Sequence, residues 1–384
     1  MTATLYAYAF LDEFVLLYPV YALLFADSGL SVGQISSLFV LWSLTGVLLE
    51  VPSGAWADAV SRRLLLWIGP LLGAAGFALW VLVPSYWAFA AGFVLWGARG
   101  ALGSGALEAL VYEELDRVGA ADRYAHVMGR AHAVGQVAVM SAMGLAGPVF
   151  AAGGYPAVGA ASVLACLLCA ATATRFPEHR TPAAESEDGW AATLRAGLAE
   201  VHRDRRVLGA LLLVPAVTAV WGALDEYTSL LVRETGVPDA AVPYLLMVIW
   251  AGVTVGSLLS GRAERLGGTG LAALLAGAAL ALAAGALTER PAGVVLVALA
   301  FGGFQLATVL ADVRLQQRIE GTGRATVTSV ASLGTELVTI AVYGVYGVLG
   351  SSFAHGTVFA VCAVPYLVTA LAVARRRRER GGRE

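Results

Sequence analysis

Lysine is absent from this sequence: all 25 basic residues are arginine, an imbalance to which we assign no functional meaning. Charge of either sign is also scarce, since Asp, Glu, Lys and Arg make up 14% of the 384 residues, against about a quarter in soluble domains. That scarcity argues against an ordinary soluble domain, and a net charge of -2 gives no basic surface for nucleic acid. Only three cysteines occur, all within apolar stretches, so we expect neither a disulfide framework nor a metal cluster.

Apolar residues dominate instead, at 58% of the chain, with 45 glycines and a mean hydropathy of +0.74. Crossing a bilayer takes about 20 apolar residues, and twelve such runs are present. The sequence therefore predicts an all-α integral membrane protein with twelve transmembrane helices in two pseudo-symmetric six-helix bundles. We place the helices at roughly 4–26, 32–56, 64–83, 86–112, 125–150, 156–175, 207–232, 240–261, 270–288, 292–313, 325–349 and 355–374.

Arginine collects in alternate connections, and short cytoplasmic loops retain positive charge. This asymmetry predicts an even number of helices with both termini cytoplasmic, in the inner cell membrane. The predicted domains are an N-terminal bundle at 1–176, a cytoplasmic linker with an amphipathic helix at 177–206, a C-terminal bundle at 207–374 and a basic tail at 375–384. For the linker, a simple tether and a regulatory segment both remain open.

The two halves repeat each other in sequence, as the halves of many transporters do. Gly29 before the second helix corresponds to Gly236 before the eighth, and Ser53-Gly54 corresponds to Ser260-Gly261 at the same offset. A further similarity, between Leu11-Asp12-Glu13-Phe14 and Leu224-Asp225-Glu226-Tyr227, is out of this register by several residues. We therefore interpret the likeness of the two acidic pairs as chance.

The loop after the second helix reads Gly54-Ala55-Trp56-Ala57-Asp58-Ala59-Val60-Ser61-Arg62-Arg63. This segment resembles the G-x-x-x-D-x-x-x-R-R signature of the major facilitator superfamily. The resemblance implies the fold of that family, transport by alternating access, and a conformational latch formed by Gly54, Asp58, Arg62 and Arg63.

Two weaker motifs agree with this resemblance. Arg99-Gly100-Ala101-Leu102-Gly103-Ser104-Gly105-Ala106 resembles a proton-coupling signature, with Leu102 in place of glutamine. Gly135, Gly144, Gly147-Pro148 and Gly153-Gly154 look like the glycine-proline helix of exporters.

Seven ionisable acids lie in predicted spans, where they are costly and usually face a cavity or one another. They are Asp12, Glu13, Glu108, Asp225, Glu226, Asp312 and Glu336. Because burial disfavours the charged carboxylate, such a group can load and release protons. We expect Arg99 to pair with Glu108, Asp12 or Glu13, either for proton coupling or as a purely structural ion pair. Neighbours on a helix point about 100° apart, so only one of Asp12 and Glu13 should face the cavity, with Asp12 favoured.

Glu108 and Asp312 could instead hold an arginine in an inner gate. Eight aromatic residues could line a pocket, but interfacial anchoring is the more common role of Trp and Tyr near helix ends. They are Tyr6, Tyr18, Trp42, Trp96, Trp221, Tyr227, Trp250 and Tyr343.

Together these patterns favour a proton-coupled exporter of small amphipathic compounds, cationic or neutral, acting as a monomer in the lipid bilayer. A proton-coupled nutrient uptake symporter is the first alternative, and a non-transporting receptor or scaffold is the second. The sequence contains none of the common hydrolase or phosphate-loop motifs, so we expect no enzymatic activity, no cofactor, no metal and no nucleic-acid partner.

Overall fold

The computed structural model describes residues 1–59, 61–103, 105–177, 205–263, 266–318 and 324–381, without the side chains of 50–59, 205–207, 324–326 and 376–381. The chain forms two compact units. Unit 1 contains Met1–Ala184 and Asp239–Tyr244, and unit 2 contains Glu185–Pro238 and Leu245–Glu384. The predicted linker at 177–206 falls almost entirely outside the described residues, and the predicted domain bounds stay a prediction.

Unit 1 is built from seven α-helices among the described residues. They are α1 (Thr2–Glu13), α2 (Tyr21–Asp27), α3 (Val32–Ala59), α4 (Arg62–Leu82), α5 (Tyr86–Gly103), α6 (Ala106–Arg117) and α7 (Tyr124–Ala173). Helix α1 packs on α7, while α4 packs on both α5 and α7. Small residues bring α4 and α5 together, because a methyl group on Gly76 would lie 3.0 Å from the carbonyl oxygen of Gly92. Such backbone-to-backbone packing is typical of helices in lipid.

Unit 2 is built from nine α-helices in the part of the chain that the structure describes, one of which begins with residues 242–244 of unit 1. They are α8 (Arg205–Leu211), α9 (Leu213–Asp225), α10 (Thr228–Glu234), α11 (Val242–Ala263), α12 (Gly268–Leu287), α13 (Gly293–Gln316), α14 (Arg324–Leu349), α15 (His355–Cys362) and α16 (Val364–Gly381). Helix α9 packs on α13 and α14, and α12 packs on α13, α15 and α16. Helix α11 meets α13 so closely that a methyl on Gly256 would overlap the Gly302 carbonyl.

Nine helices among the described residues are long and apolar enough to cross a membrane. The difference from the predicted twelve has local causes. The first predicted span is interrupted between α1 and α2, and the fourth is divided into α5 and α6 near Gly105, whose φ is +73°. The fifth and sixth spans form one continuous stretch, α7, which contains a kink at Gly153 and Gly154, where φ reaches +60°. The fold agrees with twelve spans once these three features are counted.

The first span of each unit is a broken helix, and each break lies at an acidic pair. Helix α1 ends at Glu13 and is followed by the seven-residue helix α2. Helix α9 ends at Asp225, with Glu226 as its C-cap, and is followed by the seven-residue helix α10. In both units a glycine with positive φ then precedes the next span, Gly29 at +84° and Gly236 at +82°.

The interpretation of the two acidic pairs as a chance likeness is therefore wrong. The connector of residues 14–20 separates α1 from α2, whereas residues 226 and 227 alone separate α9 from α10. In addition, α1 ends at the second residue of its acidic pair and α9 ends at the first residue of its pair. The difference in connector length and this offset of one residue together explain why the two pairs do not align at the offset that relates Gly29 to Gly236. Both pairs occupy the same structural position, at the C-terminal end of a broken helix.

Candidate functional site

Arg99 caps the broken end of α1. Its Nη2 donates to the Oδ1 of Asp12 at 2.6 Å and to the main-chain carbonyl of Asp12 at 2.8 Å. The last carbonyls of a helix have no partner within that helix, and a cation is favoured there by the helix dipole. One guanidinium therefore pairs with a carboxylate and satisfies an unpaired backbone acceptor, which stabilises the break in α1.

The surroundings of Arg99 are small and apolar. Gly73 on α4 leaves room for the guanidinium, since a methyl there would lie 3.0 Å from Nη1. Nη1 also donates to the sulfur of Cys166 at 3.9 Å, and the thiol of Cys169 donates to Asp12 Oδ1 at 3.8 Å. Arg99 is only 8% exposed. Its charge is therefore held inside unit 1, where an unpaired cation would be costly.

The connector between α1 and α2 is stabilised by α7. The buried hydroxyl of Ser162 accepts from the backbone N–H of Leu17 at 3.0 Å and donates to the carbonyl of Val158 at 2.7 Å. Non-helical backbone at membrane depth needs partners of this kind, because lipid supplies none.

A cavity of about 290 Å³ opens beside the Asp12–Arg99 pair. Helices α1, α4, α5, α6 and α7 contribute to its lining. The polar side chains that line it are Tyr8, Asp12, Glu13, Arg99, Glu108, His132 and Gln136. The structure thus brings the four unit 1 residues predicted from the sequence, Asp12, Glu13, Arg99 and Glu108, to one cavity.

Both members of the first acidic pair line this cavity, so the expectation that one of them would pack away from it is wrong. The pair lies in the last turn of α1, where the helix ends and no further turn covers either side chain. Asp12 is paired with Arg99, while Glu13 is the more exposed of the two, and its carboxylate has no hydrogen bond or ion pair within the described part of the chain. Its side chain lies against Gly135, where a methyl would be 3.3 Å from the Glu13 Cγ.

The second acidic pair lacks the cation that the first one has. Asp225 and Glu226 are partly exposed, and neither carboxylate has a hydrogen bond or ion pair among the described residues. Both lie near the buried phenol of Tyr343 on α14, as does Glu336. Where unit 1 has the Asp12–Arg99 ion pair, unit 2 therefore has a group of acids beside a phenol.

An aromatic and hydrogen-bonded series connects α10, α14 and α15. Tyr227 stacks on Tyr346 with ring centroids 3.6 Å apart, and the Tyr346 hydroxyl lies 2.6 Å from His355 Nδ1. The carboxylate of Glu234 accepts from the backbone N–H groups of His355 and Gly356, at the N-terminus of α15. These contacts fix α10 after the break.

Asp312 lies on α13 with an exposed side chain. Asp312 forms no ion pair with an arginine among the described residues, and Nη2 of Arg314 donates instead to the carbonyl of Leu266 at 2.7 Å. The role of Asp312 in an inner gate stays a prediction. Glu108, in the first turn of α6, likewise has no ion pair in the described ranges.

The predicted latch is described in part. Gly54 and Asp58 lie in α3, but their side chains are outside the described residues. Arg62 forms an ion pair with Glu113 of α6, and Arg63 Nη1 donates to the carbonyl of Phe176 at 3.5 Å. The two arginines thus connect the start of α4 with other elements of unit 1.

The glycine-proline segment lies in the first half of α7. Gly147 is buried against the segment Asp239–Tyr244, since a methyl there would lie 2.6 Å from the carbonyl of Ala240. Gly144 is partly exposed and Pro148 is exposed, so the close approach occurs at Gly147.

Most of the aromatic residues considered as interfacial anchors are packed inside their units. Tyr18 stacks on Trp96 at 5.1 Å between ring centroids, and Trp96 stacks on Trp42 at 4.7 Å. In unit 2, Tyr227 and Tyr343 are almost fully buried. The role of interfacial anchor is therefore wrong for Tyr227 and Tyr343, and it stays a prediction for Tyr18, Trp42 and Trp96, which are partly exposed.

Several residues around the cavity are not identified by the sequence patterns. Cys166 and Cys169 contact the Asp12–Arg99 pair, and their spacing on one face of α7 is a usable signal for this. His132 and Gln136 are one helical turn apart, a spacing that places them on one face. In the parts of the chain described, no three His, Cys, Asp or Glu side chains are grouped so that they could hold a metal ion.

Comparison with known proteins gives one family and several structural relatives. The family described as "Major Facilitator Superfamily" matches residues 2–316. No curated protein matches the sequence. The nucleoside transporter NupG is similar with a TM-score of 0.77 at 14% identity, over 97% of this chain and 98% of its own.

Two further solved structures have the same fold. An auto-inhibited peptide transporter of the POT family gives a TM-score of 0.74 at 13% identity, over 98% of this chain and 96% of its own. A bacterial homologue of the human lysosomal transporter Spinster, in an inward-facing and unoccupied conformation, gives 0.67 at 15% identity, over 97% and 96%.

Proposed function

The chain belongs to the major facilitator superfamily, and from that premise we propose that it is a proton-coupled exporter of small amphipathic compounds that works by alternating access. Membership of the family indicates a multi-pass membrane transporter rather than an enzyme. The direction of transport, the coupling ion and the class of substrate are the proposed part.

The observation that carries the proposal is the arrangement at the end of α1. Arg99 compensates the charge of Asp12 at 2.6 Å, while the neighbouring Glu13 lines the same cavity with no described partner. Glu13 is thus the carboxylate of the pair that is left to exchange a proton. Ionisable side chains at membrane depth are rare and usually functional.

Competition for one carboxylate supplies the coupling. An ionised Glu13 attracts a cationic substrate, and a protonated Glu13 does not. Proton binding therefore favours release of the cation, and the reverse exchange follows on the other side of the membrane. Asp12 and Arg99 remain paired through the cycle and hold the end of α1 in position.

Export is favoured by the glycine-proline segment of α7, where the close approach at Gly147 fits a tightly sealed helix. The acidic side chains of the cavity favour a cationic substrate in either direction of transport. Uptake of a nutrient by proton symport is the second candidate. It is supported by the relatives with the same fold, which include a nucleoside transporter and peptide transporters.

A non-transporting receptor or scaffold is the third candidate. The retained Asp58, Arg62 and Arg63 argue against it, because a protein that does not alternate between conformations has no use for a latch. The ion pair between Arg62 and Glu113 supports a working latch. We further propose that the protein is a monomer in the inner cell membrane, with both termini in the cytoplasm.

Vesicle assays separate these candidates. A thermal-shift screen of amphipathic cations, nucleosides and short peptides on the purified chain would first identify a ligand. For an exporter, adding that ligand to energised everted vesicles releases protons from the lumen as the ligand accumulates. Accumulation by right-side-out vesicles, with no proton release from everted ones, would instead indicate uptake.

A further inference from the structure

Unit 2 contains a polar wall made by one face of α9 and one face of α13. On α9 the wall consists of Thr218, Trp221 and Asp225, which are spaced three and four residues apart and are all partly exposed. Residues on the other faces, such as Val217 and Leu224, are buried. The spacing places the three polar side chains on one side of the helix.

Helix α13 contributes Gln305, Thr308 and Asp312, also spaced three and four residues apart. Gln305 and Thr308 are partly exposed and Asp312 is exposed, whereas Ala307 and Ala311 between them are fully buried. Each helix in this region therefore presents a row of polar side chains on its open face, beside partly exposed apolar residues such as Val309 and Val313, and its closed faces are apolar.

Hydrogen bonds fix the middle of the wall. The indole Nε1 of Trp221 donates to Thr308 Oγ1 at 3.2 Å, and the Thr218 hydroxyl donates to the same oxygen at 3.3 Å. Gln305 Nε2 donates to Ser257 Oγ at 3.0 Å, which leaves the Gln305 carbonyl oxygen as an acceptor. The side chains between the two acids are thus held in place before any ligand binds.

The two acids lie at opposite ends of the wall, because α9 and α13 are antiparallel. Val214, near the start of α9, packs with Leu315 near the end of α13, while Trp221 contacts Phe301 with ring centroids 5.8 Å apart. Asp225 and Asp312 extend in opposite directions from the Trp221–Thr308 contact. At a rise of 1.5 Å per residue, their separation along the helices is about 12–14 Å.

No protein cation neutralises either end in the described part of unit 2. Neither the carboxylate of Asp225 nor that of Asp312 has an ion pair or a hydrogen bond there. The single basic residue of α13 is Arg314, which donates to Leu266. In unit 1, by contrast, Arg99 compensates Asp12 at the corresponding helix break. A wall with two carboxylates would be costly against acyl chains, so it must line a polar space.

We propose that this wall binds an elongated dication whose two positive centres lie about 12–14 Å apart, one at Asp225 and the other at Asp312. The body of such a ligand lies along the indole of Trp221, whose face attracts cations and apolar chains alike, and Gln305 accepts from any donor between the charges. The inference rests on the proposed function, since it names a substrate class for the exporter.

Bis-quaternary ammonium compounds of increasing length test the wall directly, because their charge is independent of pH. Binding of hexamethonium, octamethonium, decamethonium and dodecamethonium to the purified full-length chain is measured by calorimetry, with decyltrimethylammonium as the single-charge reference. We expect affinity to pass through a maximum at a chain length that spans the two carboxylates. At that length the dication should bind at least tenfold more tightly than the reference, about 1.4 kcal/mol.

Substitutions of Asp225 and Asp312 test whether these two residues bind the two charges of the dication. Asp312→Asn should lower the affinity of the best dication to that of the single-charge reference. Asp225→Asn should lower it less, because Glu226 and Glu336 remain near that end, whereas Asp122→Asn, on the exposed turn before α7, should leave it unchanged. Asp312→Glu retains the charge on a longer side chain and should shift the preferred length, which separates loss of the site from misfolding. Affinity that is independent of chain length, or equal in wild type and both Asn variants, would overturn the proposal.

The binding assay involves no proton gradient, so the two proposals fail independently. If the dications bind as described but no substrate drives proton release from vesicles, the exporter proposal is wrong and the proposal of a dication site on the wall stands. If proton-coupled transport of single cations occurs without length-dependent binding of dications, the proposal of a dication site is wrong and the exporter proposal stands.

Discussion

Arg99 donates both to the carboxylate of Asp12 and to its backbone carbonyl, so one side chain neutralises an acid and closes the end of a helix. The two roles cannot be separated in the wild-type protein. They can be separated by substitution, because Lys keeps the positive charge on a shorter side chain that lacks the fixed planar geometry of the guanidinium.

Arg99→Lys should keep the charge near Asp12 but lose one of the two bonds. We expect the chain to fold, with transport of any identified substrate reduced by about tenfold, the equivalent of about 1.4 kcal/mol. Transport rates and thermal melting of the purified variant check this. Wild-type transport in Arg99→Lys would mean that capping of α1 is irrelevant to function.

Asp12→Asn and Glu13→Gln should behave differently although the residues are adjacent. Asp12→Asn leaves Arg99 without its counter-charge. Breaking a buried pair costs about 3–5 kcal/mol, and we expect somewhat less here because the Asp12 side chain is 33% exposed. Glu13→Gln removes no described contact, so the melting temperature should hold while substrate-driven proton release is lost. Equal destabilisation of both variants would contradict the assignment of roles.

Ser162→Ala should destabilise unit 1 through the connector between α1 and α2. The backbone N–H of Leu17 would lose its partner, and an unsatisfied buried donor costs about 1–3 kcal/mol. Ser141→Ala is the matched control, since Ser141 also donates to the carbonyl four residues before it but has no described contact with the connector. Thermal melting compares the two; similar values would show that the connector does not depend on Ser162.

Gly252→Ala should separate α11 from α13. The added methyl would overlap the backbone carbonyl of Ala298, which cannot move without shifting the helix, and overpacking of this kind costs about 1–3 kcal/mol. Gly277→Ala on α12 meets nothing within 4 Å and gains the same helix propensity. We expect a lower melting temperature for the first variant and an unchanged or higher one for the second. Wild-type stability in Gly252→Ala would show that the helices tolerate a wider spacing.

An all-α membrane fold that is consistent with twelve spans could be predicted from composition, because the length of an apolar run is a property of the chain alone. The breaks could not. Nothing local to residues 14–20 announces a non-helical segment apart from Pro19, since its stability depends on Ser162, which is 145 residues from Leu17 in sequence. The correspondence of the two acidic pairs is hidden in the sequence because repeats are compared at a constant offset, whereas the connector lengths differ.

The acids of the candidate site could be selected by their cost in lipid, which is a property of single residues. Their partners depend on tertiary structure. Arg99 pairs with Asp12 rather than with Glu13 or Glu108 because of the position at which α1 ends. Asp225 and Asp312 lie at opposite ends of the wall because α9 and α13 pack antiparallel.

The most direct test of the account is proton release from energised everted vesicles, followed with a pH-sensitive dye, on addition of a cationic ligand found in the binding screen. The account predicts release by the wild type and by Asp122→Asn, and none by Glu13→Gln, with equal amounts of folded protein in the membrane. Proton release by Glu13→Gln at the wild-type rate would contradict it.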